Sequence, residues 1–135
     1  MGDAPEWQTE VVKALTDLDI VILNPRRKDW NPNISQTIDN ATFNEQVEWE
    51  LCAQERATII AFNFVQNTPS PITLFEFGMA VKNKRTIVFC QQGFWRKGNI
   101  DAICKKYGIT QANSIRELTL MICKETKCLV ENSGR

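Results

Sequence analysis

The chain has 135 residues, 43% of them hydrophobic and 24% charged, enough apolar material for one domain to bury a core without metals or disulfides. Sixteen basic residues balance sixteen acidic ones, so bulk charge gives the chain no hold on a nucleic acid polymer. It has no histidine, which removes Ser-His and Cys-His catalysis and the commonest zinc ligand, and no run of about 18 apolar residues to span a membrane.

Taken in chain order, Asp3-Ala4-Pro5-Glu6 reads as an N-cap with an acidic residue three positions on. It lacks the basic start and apolar centre of a secretory signal. Trp7, Val11, Leu15 and Leu18 follow at helical spacing and predict a helix to about Leu18. Ile20-Val21-Ile22-Leu23 is a continuous, β-branched apolar run that predicts a strand buried on both faces. Residues 24–40 form a polar loop with two prolines. Thr42-Phe43-Asn44-Glu45 reads as a capping box, opening a helix with the stripe Phe43, Val47 and Leu51. Residues 58–64 predict a second buried strand. Ser70-Pro71 is expected to cap and open a third helix, with proline at its first position. Residues 85–90 predict a third strand, and helices are expected at about 100–107 and 114–124. A single domain is therefore expected over residues 1–130, with a frayed polar tail at 131–135.

The five cysteines, Cys52, Cys90, Cys104, Cys123 and Cys128, are odd in number and form no C-x-x-C pair. They read as reduced thiols in a cytoplasmic protein, mostly on core or helix faces; a redox pair of Cys123 with Cys128 is the less favoured alternative. Strands alternating with amphipathic helices predict an α/β fold, a parallel sheet with helices on both faces. Ligands in such folds bind at the carboxyl ends of the strands. That rule selects three loops, residues 24–30, 63–71 and 91–99, before any relative is considered. A conventional opening strand is absent from the pattern.

Residues 71–81 carry one charge, Glu76, among apolar neighbours. An ionised carboxylate there needs a partner or a raised pKa, and its place early in the helix favours the anion. The alternative is a solvated glutamate on an exposed helix face. In Asn24-Pro25-Arg26-Arg27-Lys28-Asp29-Trp30, the arginines could pair with phosphate or carboxylate, Asp29 could orient a sugar or base, and Trp30 could stack on a base. A surface turn of mixed charge explains the same residues. Gly93-Phe94-Trp95-Arg96-Lys97-Gly98-Asn99 reads as a lid, a base-stacking wall or an aromatic anchor for its loop. Gln46 and Glu50 lie one helical turn apart, facing either a cleft or the margin of the core. No dinucleotide or triphosphate-binding glycine motif occurs.

These segments, taken together, resemble the nucleoside 2-deoxyribosyltransferase-like family. The likeness rests on Leu23-Asn24-Pro25-Arg26-Arg27 with Asp29-Trp30, on Gln46-Val47-Glu48-Trp49-Glu50, on Ser70-Pro71-Ile72-Thr73-Leu74 with Glu76 and Gly78, and on Gly93 to Asn99, in that order over residues 7–109. It implies a flavodoxin-like (Rossmann-like) three-layer sandwich. It also implies chemistry at the N-glycosidic bond, with a glutamate in an E-x-G context, here Glu76-Phe77-Gly78, attacking the anomeric carbon. Arg26, Asp29, Trp30, Gln46, Glu50, Asn63 and Ser70 are then the expected substrate contacts, without metal or cofactor. The family's opening strand and small-residue turn are not seen; Met1-Gly2 coincides with the end of that pattern. Gln46 and Asn63 stand near places where relatives often carry acids. The expected ligand is a nucleoside or nucleotide, and the expected assembly a homodimer or larger homo-oligomer joined through aromatic surface at Trp49 and Phe94-Trp95. A non-catalytic nucleotide-binding module and a glycohydrolase of NAD-like dinucleotides are the competing functions.

Overall fold

A computed structural model describes residues 6–134. Its elements, in order, are α1 (Gln8–Ala14), α2 (Ala41–Arg56), β1 (Ile59–Phe64), α3 (Pro71–Ala80), β2 (Arg85–Cys90), α4 (Lys97–Tyr107), β3 (Gln111–Ala112) and α5 (Ile115–Ser133). The three strands form one parallel sheet in the order β1-β2-β3, with Ile59 beside Arg85 and Phe64 beside Cys90.

Because successive strand residues face opposite sides, the two longer strands, β1 and β2, build two cores. Phe62 and Phe64 of β1 and Val88 and Cys90 of β2 pack on one face with Phe77 of α3, Phe94, and Ile100 and Cys104 of α4. Phe77 meets the rings of Phe62 and Phe64 edge-on at 5.3 and 5.5 Å, an arrangement aromatic quadrupoles favour. On the other face Ile87 and Ala112 pack with Val11 and Leu15 from the α1 region and Leu118 and Ile122 of α5. A parallel sheet covered by helices on both sides is the α/β, flavodoxin-like arrangement expected.

Residues 20–23 overturn the expectation of a strand there. They adopt no regular structure, and Val21, Ile22 and Leu23 are 86%, 38% and 42% exposed. The physical reason is the lack of a partner: among the described strands β1 pairs only with β2, and none lies beside residues 20–23. Ile20 and Leu18 nevertheless pack against the α1 and α5 core.

The ends of several elements differ from expectation as well. The Asp3 cap lies outside the described residues, and α1 stops at Ala14, with turns carrying Leu15 and Leu18 back to the core. The cap of α2 is Asn40, whose Oδ1 accepts from the Phe43 amide at 3.0 Å, so Thr42 is helical and no capping box forms. Ser70 does occupy the N-terminal boundary of α3, with Pro71 just inside it. Its φ of 44° turns the side chain away from the helix, and Oγ pairs with Thr68 Oγ1 at 2.8 Å instead of capping. Strand β3 was not anticipated, α4 starts earlier at Lys97, and α5 runs beyond residue 124 to Ser133 with Ser114 as its cap.

All five cysteines are free. Burial pushes the thiols of Cys90 and Cys104 up to about 11, so both are inert core groups. No described helix is long and apolar enough to cross a membrane.

Candidate functional site

The site grows from the way α2 and α3 flank β1 in sequence. Gln46, Glu50 and Gln54 recur every four residues along α2 and therefore share one face. Glu76 lies on α3, whose Phe77 and Ala80 are buried and whose Leu74 and Val81 also pack on the core. Anchoring through those residues leaves Glu76 half-buried at the helix surface, where its Oε1 accepts a hydrogen bond from Gln54 Nε2 at 3.0 Å.

A chain of contacts continues from there. Glu50 stands close enough to Glu76 for its charge to be felt. Gln46 Nε2 donates to Glu50 Oε1 at 2.8 Å and reaches the Pro25 carbonyl at 3.3 Å. Arg27 Nη1 meets Gln46 Oε1 at 3.5 Å, the long limit of such a bond. Arg27 also grips Asp29 with two parallel bonds, 3.1 and 2.9 Å, and lies 5.9 Å from the Trp30 ring centre. The loop after residue 23 is thus tied to α2, and α2 to α3, although the residues concerned, Pro25 to Glu76, are up to 51 positions apart in sequence.

The electrostatics follow from this arrangement. Burial, and then the neighbouring Glu50 charge, push the Glu76 carboxyl above the usual glutamate range, while the Gln54 bond pulls the other way. Arg27 holds Asp29 below the usual carboxylate range, chiefly through the paired hydrogen bonds. Both groups of that pair are exposed, so its contribution to stability is small.

Of the residues singled out from sequence, the structure brings Glu76, Glu50, Gln46, Asp29 and Trp30 into one network. Ser70 and Asn63 are placed elsewhere. Arg26 sits in the same loop, its backbone N–H donating to Asn24 Oδ1, and its neighbour Arg27 reaches Gln46 of α2. Ser70 is engaged with Thr68. Asn63 is buried near the end of β1 on the face of Ile59 and Ala61, and its Oδ1 has no partner. Gln54 went unremarked in the sequence, although its place four residues after Glu50 on α2 was a signal.

The loop after β2 divides its two aromatic residues between roles. Gly93 turns the chain at φ +87°, a conformation that side chains rarely adopt, and a Cβ there would lie 3.0 Å from Gln66 Oε1. Phe94 then enters the core, 3% exposed, as an anchor. Trp95 stays outside, donating from Nε1 to the Pro69 carbonyl at 3.0 Å with Arg96 over its ring at 4.3 Å. A separate cleft of about 380 Å³ opens at the ends of β2 and β3, lined by Gln66, Gln91, Gln92, Lys97, Gln111 and Asn113 among others, and Glu76 takes no part in it. Among the described residues, no group of three or more acidic or cysteine side chains is placed to hold a metal ion.

Comparison with known proteins gives one finding. The family described as "Nucleoside 2-deoxyribosyltransferase like" matches residues 1–94, which include every residue of the Glu76 network. No curated protein matches the chain.

Proposed function

The chain belongs to the nucleoside 2-deoxyribosyltransferase-like family, and on that premise we propose that it transfers or hydrolyses the N-glycosidic bond of a nucleoside or nucleotide with Glu76 as nucleophile. The observation that carries this reading is the environment of Glu76: a half-buried carboxylate with one oxygen held by Gln54 and a second carboxylate, Glu50, nearby. Perturbed carboxylates in such settings are where functional groups concentrate.

In the reaction, a lone pair of the Glu76 carboxylate forms a bond to C1′ of the sugar as the C1′–N bond breaks. The bonding pair leaves with the base, which takes a proton from water. A ring nitrogen of a second base, or a water molecule, then bonds to C1′, loses its proton to solvent and releases the carboxylate. Neither step needs a metal or cofactor. Asp29 and Glu50 accept hydrogen bonds from the sugar, Trp30 stacks on the base, and Arg26 and Arg27 serve a phosphate where the ligand is a nucleotide. Gln46 fixes Glu50, while Asn63, a β1 residue with a free buried oxygen, and Ser70, at the start of α3, are the further proposed contacts.

The reading extends to assembly and place. Helix α2 spans 16 residues without a fully buried one, Trp49 is 42% exposed, and Ile72, Phe75 and Met79 form an exposed apolar stripe on α3. A symmetric homodimer or larger oligomer covers such surface, and sedimentation at micromolar concentration tests for it. Five free thiols suit a cytoplasmic protein.

A second reading, a nucleotide-binding module without turnover, is favoured by one observation: residues 20–23, which lead into the Arg27 loop, lack a strand's support. One assay separates the readings. The protein is incubated with a purine or pyrimidine 2′-deoxynucleoside and a different free base. A new nucleoside supports transfer, and base release alone supports hydrolysis. Release of nicotinamide from NAD instead assigns the dinucleotide reaction, and binding without turnover assigns the module. Full exchange by Glu76→Ala overturns the role of Glu76.

A further inference from the structure

We propose that Gln54 is a positioning residue for Glu76, holding Oε1 so that Oε2 is the oxygen presented to C1′; this rests on the reading of Glu76 as nucleophile. Gln54 Nε2 donates to Glu76 Oε1 at 3.0 Å between two half-buried side chains, and no described group donates to Oε2. The two carboxylate oxygens are therefore inequivalent before any ligand arrives. A carboxylate free to rotate about its last bond would present either oxygen in a range of directions, and reaction requires one direction.

The choice of an amide matters. The α2 groups that act on Glu76 are Glu50, through its charge, and Gln54, through its hydrogen bond, and among the described residues no lysine or arginine forms an ion pair with Glu76. A cation at position 54 would neutralise the nucleophile, and a carboxylate there would add to the repulsion from Glu50. A glutamine N–H bonds better to the ionised than to the protonated form, so it favours the anion while leaving the negative charge in place. It offsets part of what burial and Glu50 do to the same group. Gln54 is the last of the three side chains spaced along α2, and Gln46 treats Glu50 in the same way at 2.8 Å, so the two helix carboxylates, Glu50 and Glu76, are each held by one neutral amide.

The test uses Gln54→Leu and Gln54→Met, which keep the side chain's bulk and remove its N–H. Two quantities are read on the whole protein. One is the titration midpoint of the Glu76 carboxyl by ¹³C NMR, assigned from the signal lost in Glu76→Gln; the other is the pH profile of kcat/KM for base exchange or hydrolysis. In both variants the midpoint should rise by roughly half to one pH unit, allowing for solvent screening. The acidic limb of the profile should rise with it, and kcat should fall about tenfold with KM within about twofold, as for a misoriented nucleophile. A midpoint and limb both unchanged in folded variants would overturn the proposal, as would a midpoint that moves without the limb. A wild-type protein with no turnover, whose Glu76 midpoint still rises in the variants, would overturn the nucleophile reading and the positioning role while retaining the Gln54–Glu76 coupling.

Discussion

Two apolar runs in this chain look alike and fold differently. Residues 59–64 become β1, with Phe62 and Phe64 buried, whereas Ile20-Val21-Ile22-Leu23 stays outside the sheet with Val21 86% exposed. Both runs are rich in residues that suit strands. What separates them is company: β1 has β2 on one side and α3 and the α1–α5 layer above and below. Among the described residues, 20–23 have no strand to hydrogen-bond with, and strand propensity is mostly a preference for a packed, paired surface. The contrast divides the candidate site too. Glu76, Gln54 and Glu50 stand on helices, one of them packed on the paired strands, whereas Arg27, Asp29 and Trp30 stand on a loop that follows the unpaired run.

The comparison is sharpened first at the chemistry. Glu76→Ala should lower turnover by roughly 10³-fold or more, as expected for removal of a group that forms the covalent bond, with far-UV circular dichroism nearly unchanged. Next comes the frame. Phe64→Ala should destabilise by about 3–5 kcal/mol, while Val21→Ala should stay within about 0.5 kcal/mol; urea unfolding of the two variants measures the difference. Equal losses would mean that residues 20–23 are packed after all. On the loop half, Trp30→Ala should weaken nucleoside binding by about 1–3 kcal/mol if the ring stacks on a base, read by calorimetric titration. An unchanged affinity assigns the loop to structure.

The smallest effect concerns Glu76 and stability. Its folded-state pKa is raised, first by burial and then by Glu50. The folded protein therefore holds the protonated acid better than the unfolded chain does. That contribution is full below the unfolded glutamate pKa and is lost as pH rises through the raised folded value. Glu76→Gln should accordingly be slightly more stable than wild type at pH 7, by under about 1 kcal/mol because the group is half in water, and the difference should shrink towards pH 4. Melting curves at the two pH values check the sign. On the proposed mechanism, in which the ionised form attacks, the same raised pKa should place the acidic limb of activity above the ordinary glutamate range.

How much of this was legible in the sequence depends on what each feature rests on. The second and third apolar runs and the helices between them were readable because each carries its pattern within itself. Residues 20–23 carried the same pattern, but their state depends on a neighbour that periodicity does not register. Strand β3 has two residues, too few to show alternation. Thr42-Phe43-Asn44-Glu45 fits a capping box, yet Asn40 fits a cap as well, and only the backbone geometry at 40 decides between them. In the site, Glu76 stood out as the one charge in an apolar helix. Arg27 stands in a loop, where no period says that it will turn towards α2. Gln54 escaped because a neutral amide on a half-exposed helix is ordinary until its partner, 22 residues away, is placed beside it.

The most direct measurement is to trap the bond that Glu76 is proposed to make. The protein is incubated with a 2′-deoxy-2′-fluoroarabinonucleoside, whose fluorine slows loss of the sugar from the intermediate by disfavouring positive charge at C1′, and its intact mass and peptide map are recorded. The account predicts a single added fluorosugar on the peptide carrying Glu76, absent in Glu76→Ala and released when a free base is added. Turnover of the unsubstituted nucleoside with no adduct, or with the sugar on another residue, would contradict it.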